Sequence, residues 1–175
     1  IDLWREQVAA RWDRDFDFPA IRDGRVVKSE IAHQRPSGIM GLVMNTRNPL
    51  FADWRVRQAL IEAFNFRFIN MTLSGGKDPR ISSYFSNSEL AMTPGPAQGR
   101  VAQLLAPYAP VLPPGTIEGY ALPEGGERAI DRQGIRAALG HLHDAGWTVQ
   151  DGELRDARGN PFVFEILLNQ SGSAL

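Results

Sequence analysis

The 175-residue chain is predicted to adopt a mixed α/β fold, and three observations carry that expectation. The apolar segment Ile39 to Met44 has the make-up of a strand buried on both faces. Behind Asp53 and again behind Asp131, apolar residues recur at helical spacing after a good N-cap. Between those helices, clustered prolines and glycines predict long loops.

The elements follow in order. Trp4, Val8 and Trp12 recur every fourth residue, which predicts an amphipathic helix over residues 1–14 that needs a partner surface. Phe18-Pro19-Ala20 and Asp23-Gly24 break that pattern and put a boundary or linker near residue 24. Strands are expected over 25–31, with Val26, Val27 and Ile31, and over 38–45. The helix capped by Asp53 has a stripe of Val56, Ala59, Leu60, Ala63 and Phe64. Ser74-Gly75-Gly76, Asp78-Pro79 and Thr93-Pro94-Gly95-Pro96 punctuate an irregular middle in which only Ala97 to Leu105 reads as helical, and 110–127 reads as loop. The Asp131 helix carries Ile135, Ala138, Leu139 and Leu142 and stops at Gly146. Turn signals at Asp151-Gly152 and Arg158-Gly159-Asn160 then separate Trp147–Val149, Glu153–Leu154 and a strand over Phe162–Leu168. That last strand with its bare polar tail, and a start at Ile1 without a leader-like segment, give the expectation of a piece cut from a longer protein.

Composition excludes several functions. Nineteen basic and twenty acidic residues leave a net charge of -1, without the basic excess that nucleic-acid binding requires, so no nucleic-acid partner is expected. No apolar run approaches the roughly 18 residues of a membrane span. The absence of cysteine rules out disulfides, thiolate metal sites and a cysteine nucleophile, and leaves the redox compartment open. His141 and His143 point about 200° apart on a helix and cannot share a metal; solvated side chains near the helix end are expected instead. His33 reads as an exposed turn residue. Ser74 to Lys77 lacks the Walker spacing, Asp13, Asp15 and Asp17 read as a solvated linker, and Ser171-Gly172-Ser173 is a tail rather than a nucleophile elbow. Asn70-Met71-Thr72 and Asn169-Gln170-Ser171 match the glycosylation pattern, which is common by chance. No catalytic residue, metal site or cofactor is expected.

One stretch is specific. The run from Asn45 through Thr46, Arg47, Asn48, Pro49, Leu50, Phe51, Ala52, Asp53, Trp54, Arg55, Val56, Arg57, Gln58 and Ala59 to Leu60, then Ala63-Phe64-Asn65-Phe66, resembles the family 5 solute-binding proteins of ABC importers. These are the oligopeptide, dipeptide and nickel binders. Ser83-Tyr84-Phe85-Ser86-Asn87-Ser88-Glu89-Leu90-Ala91, Phe16 to Ala20 and Asp23 to Val27 are similar to the branch that contains the microcin C and oligopeptide binders. Ala137-Ala138-Leu139, Ala145-Gly146-Trp147, Asp151-Gly152 and Gly159-Asn160-Pro161 follow the family's helix and hairpin. The family usually has Asp where this chain has Asn65, a departure expected to weaken a helix-end interaction.

The resemblance implies a type II periplasmic-binding-protein fold, with a mixed sheet, flanking helices and long loops. Residues 1–24 would be the end of lobe I and a linker, and 25–175 the first part of lobe II. It implies a periplasmic protein that captures a peptide or other small solute for an ABC permease in the inner membrane, monomeric at full length and not an enzyme. Met40, Gly41, Leu42 and Asn45, with Tyr84 beside them, become the expected solute-facing residues. Methionine adapts its shape, and glycine lets a ligand approach the backbone. Three alternatives stay open: a sugar or nickel-complex binder of the same family, a hydrolase fragment whose catalytic residues lie outside this piece, and an interaction module built on the helix at 1–14.

Overall fold

The computed structural model describes residues 3–6 and 8–168, apart from the side chains of residues 9 and 10. The glycosylation pattern at Asn169 and the Ser171-Gly172-Ser173 tail lie outside the described residues. In chain order the elements are α1 (Ala9–Arg14), α2 (Pro19–Arg22), α3 (Pro49–Ala52), α4 (Trp54–Ala63), α5 (Phe66–Ser74), α6 (Gly99–Leu105), a 3-10 turn (Ala106–Val111), α7 (Arg132–Asp144), β1 (Thr148–Gln150) and β2 (Glu153–Arg155). The described chain is thus helix-rich with one two-stranded sheet. Among the described residues no helix is long and apolar enough to cross a membrane. Two compact units divide it, one from residues 1–39 with 64–134, the other from 40–63 with 135–175.

The second unit holds the apolar core. Phe51, Val56, Ala59, Ala138 and Leu142 are buried, and Met44, Leu50, Leu60, Ala145, Trp147, Leu154 and Phe162 pack around them. Val56 and Ala59 sit three apart on α4, and Ala138 and Leu142 four apart on α7, so each helix contributes one narrow stripe. The stripes are narrower than the sequence predicts: Ala63 and Phe64 are exposed at the end of α4, and Ile135 and Leu139 are exposed on α7. The glycine stop of α7 is as expected. Gly146 adopts φ 89°, its N–H donates to the His143 carbonyl at 2.9 Å, and the Trp147 N–H reaches back to Leu142 at 2.8 Å, the two bonds of a Schellman end. Trp147 then enters an edge-to-face chain of rings, Trp147–Phe162 at 4.9 Å, Phe162–Phe164 at 5.9 Å and Phe51–Phe164 at 5.5 Å.

The Asp151-Gly152 turn forms where it is predicted. Both residues take positive φ, 51° and 84°, as a two-residue type I′ turn demands, and the antiparallel register pairs Thr148 with Arg155, Val149 with Leu154 and Gln150 with Glu153.

The first unit has little core. Among its described residues no apolar side chain is buried, whereas the polar Asn65 is. Polar and ring contacts tie it together: α1 packs against α5, Lys28 lies 4.7 Å over the Trp12 ring and donates to the Trp12 carbonyl at 2.8 Å, and Lys77 pairs with Asp13. The packing of α1 on α5 removes the free-standing helix that an interaction module would need, and the helix covers Ala9–Arg14 rather than 1–14.

The sheet expectations need larger correction. Residues 25–31, 38–45 and 162–168 form no strand; an isolated bridge pairs Arg155 with Pro161, just before the last of these stretches. A strand needs a run of hydrogen bonds to a neighbour, and the last stretch has a backbone bond to β2 only at its start, from the Phe162 N–H to the Leu154 carbonyl at 2.9 Å. Ile39 to Val43 is exposed rather than buried on both faces. In the opposite direction, α5 arises just before the irregular middle, where the sequence reading places no element. The Asn65 Oδ1 accepts from the Phe68 N–H at its start, and Gly75 ends it in the left-handed conformation at φ 62°. The helix expected over Ala97 to Leu105 begins at Gly99.

Candidate functional site

The polar residues of the 45–57 motif serve the backbone. Asn45 closes a turn: its carbonyl accepts from the Asn48 N–H at 2.9 Å and its Oδ1 from the Arg47 N–H at 3.1 Å. Asn48 caps α3 by accepting from the Leu50 N–H at 3.0 Å. Asp53 opens α4 by accepting from the Arg55 N–H at 2.9 Å. Arg55 grips the Asp53 carboxylate through Nε and Nη2 and extends Nη1 to the Asp144 carbonyl at 2.5 Å. Hydrogen bonding from Arg55 holds the Asp53 carboxyl below the usual carboxylate range, against a smaller opposing effect of burial. Arg57 donates to the carbonyls of Phe51 and Ala52 at 2.6 and 2.9 Å, satisfying the end of α3. The densest motif in the sequence is therefore a helix joint.

An open cavity of about 420 Å³ lies within the second unit, lined by Pro49, Leu50, Asp53, Val56, Ala145, Trp147, Pro161 and Val163. Its one charged group, Asp53, is already held by Arg55, so no polar group there awaits a ligand. None of the solute-facing residues expected from the sequence lines it.

Those residues fall in two places. Met40, Gly41, Leu42 and Asn45 belong to the second unit and Tyr84 to the first. All are exposed, Met40 at 88% and Tyr84 at 68%. Around Tyr84, the Ser83 N–H donates to the Ser86 Oγ at 3.2 Å and the Phe85 N–H to the Ser83 Oγ at 3.1 Å. Asn87, at φ 67°, donates through Nδ2 to the carbonyls of His33 and Arg35 at 2.8 and 3.1 Å, and the Ser37 N–H bonds the Ser86 carbonyl at 2.9 Å. The small polar residues of the 83–88 motif thus fix the backbone and leave the Tyr84 ring outward.

The remaining candidates take structural roles. His143 is exposed, whereas His141 is half-buried with its ring 6.1 Å from that of Trp54, so only one of the pair is solvated as expected. Among the described residues no three His, Asp or Glu side chains gather as a metal would need. Asn70 uses its amide on both backbone groups of Asp78, donating at 2.6 Å and accepting at 3.1 Å.

Two residues escape the sequence reading. Asn65 is buried; its Oδ1 accepts from the Phe68 N–H at the start of α5, and its Nδ2 donates to the Arg128 carbonyl at 2.7 Å, a bond that an Asp carboxylate has no donor to make. The second is Arg80, stacked on Phe64 and Phe66 with ring-centroid distances of 5.4 and 4.7 Å. Nothing in a one-dimensional pattern marks it, because its partners lie outside any helical or strand period.

Comparison with known proteins supplies the family. The model described as bacterial extracellular solute-binding proteins, family 5 middle, matches residues 1–174. The peptidoglycan-binding protein YepA of Agrobacterium fabrum is 35% identical over 159 residues, 90% of this chain and 26% of its own length. A protein of the same organism, named "Probable peptide-binding protein YejA", is 34% identical over 176 residues, 98% of this chain and 28% of its own length. The uncharacterised protein y4wM of Sinorhizobium fredii is 37% identical over 172 residues, 96% and 26% of the two lengths. The chain thus spans about a quarter of the length of the curated relatives it matches.

Proposed function

The chain belongs to family 5 of the bacterial extracellular solute-binding proteins, and from that membership we propose that it is part of the substrate-binding component of an ABC importer. In this reading the protein captures a peptide or peptide-like solute in the periplasm and delivers it to an inner-membrane permease. The observation that carries the reading is the family match over residues 1–174 together with a relative named for peptide binding. Residues 25–175 would form the first part of lobe II of a type II periplasmic binding fold, with 1–24 the end of lobe I and the linker. Capture by closure of lobes requires enclosure rather than bond-making, and so no nucleophile or general base.

Met40, Gly41, Leu42, Asn45 and Tyr84 are the residues we assign to the solute. The exposure of Met40, Leu42 and Tyr84 supports the assignment, since apolar side chains left uncovered can trade water for ligand. The full-length protein, purified and examined by native mass spectrometry and calorimetry with di- and tripeptides, tests the function. Retention of a peptide is the expected result. Binding of a sugar or a nickel complex in place of peptides would reassign the solute within the family.

A further inference from the structure

Arg80 is in an unusual position for an arginine. Its Nε is shielded from solvent with no acceptor, the one buried side-chain nitrogen or oxygen among the described residues in that condition. Its terminal nitrogens also find no acceptor among the described residues, but they reach solvent. The guanidinium stacks on Phe64 and Phe66, which hold its plane. Tyr120 and Glu124 act on it electrostatically, yet neither forms an ion pair with it. Burial pulls its pKa below the usual arginine value, a sign that the charge is incompletely solvated.

A structural arginine with this much burial would normally end on a carboxylate or on carbonyls, as Arg55 and Arg57 do. Arg80 instead offers a planar fork set over two aromatic rings, with no hydrogen-bond acceptor among the described residues, four residues ahead of Tyr84 in the same unit. We infer that Arg80 is an anion-recognition residue whose terminal nitrogens take a carboxylate of the solute. A carboxylate matches the guanidinium edge in shape and charge, and the aromatic stacking has already removed much of the ordering cost. Glu124 sets the strength of the site by competing for the same charge. The identity of the ligand as a solute rests on the function proposed above, whereas the anion site itself does not.

The test is a titration of the 15N-arginine-labelled chain with sodium acetate, against sodium chloride at equal ionic strength, following the Arg80 Nε–Hε resonance assigned by its loss in Arg80→Lys. Acetate is expected to shift that resonance saturably while chloride does not. Glu124→Gln is expected to tighten acetate binding roughly threefold or more by removing the competing charge. A flat acetate titration, or a chloride response equal to it, overturns the proposal, and a response to phosphate stronger than to acetate overturns the carboxylate assignment. An acetate response without peptide binding by the full-length protein would remove the solute reading and keep the anion site; peptide binding with a flat acetate titration would do the reverse.

Discussion

Asn65 donates its side-chain amide to the main-chain carbonyl of Arg128 at 2.7 Å, a bond across 63 residues of sequence. The same side chain accepts from the Phe68 N–H at 3.2 Å, so one buried amide starts α5 and ties it to the loop that precedes α7. Gly125 runs beside it, where a Cβ would stand 2.4 Å from the Asn65 Oδ1.

Asn65→Asp removes the donor and leaves a buried carboxylate facing a carbonyl. Denaturant titration is expected to show a loss of about 1–3 kcal/mol, the cost of an unsatisfied buried polar group. A variant as stable as the parent would show that the Arg128 contact contributes nothing.

Val56 is almost completely buried on α4, whereas Leu60 is only partly covered. Val56→Ala should cost about 1–3 kcal/mol through lost burial and the cavity left behind. Leu60→Ala should fall below the roughly 2–5 kcal/mol of a fully buried leucine. Equal losses from an exposed apolar position such as Val43 would contradict this placement of the core.

The Asp53 carboxyl is held below its unfolded value by Arg55. At pH values between the folded and unfolded pKa the unfolded chain binds more protons, so stability rises with pH through that window. The Asp53 contribution is therefore complete above the unfolded value of about 3.9 and is lost as the pH falls through the folded value. Asp53→Asn keeps a capping oxygen but no charge, and its acid unfolding curve should be flatter than the parent's over that window. Parallel curves would show that the Arg55 pair does not couple to folding.

Leu42→Glu and Tyr84→Ala alter exposed side chains. In the full-length protein both should weaken peptide binding while the Tm of the unliganded form stays within a few degrees, about the range of surface substitutions. Calorimetry paired with thermal melts separates the two effects. Unchanged affinity in both folded variants would move the solute contacts elsewhere.

Elements whose instructions lie within a few residues were legible in the sequence. The caps at Asp53 and Asp131, the glycine stop at Gly146 and the Asp151-Gly152 turn depend on hydrogen bonds and φ angles that close within one turn of chain. Helix α5 was missed although Asn65 and Gly75 bracket it, because its Phe, Ile and Thr content argues against helix and only its packing against α1 reveals the gain. The family motif was legible too, and with it the cap and stripe of the Asp53 helix; the partners of Asn48, Arg55 and Arg57, which make the stretch a helix joint, were not. Strand formation at 25–31, 38–45 and 162–168 was overestimated for the complementary reason, since apolar content describes a willingness to pair and pairing needs a neighbour. Arg80 lay beyond any local rule. Its two rings stand 14 and 16 residues away, and only the tertiary fold brings them over one guanidinium and leaves it without an acceptor.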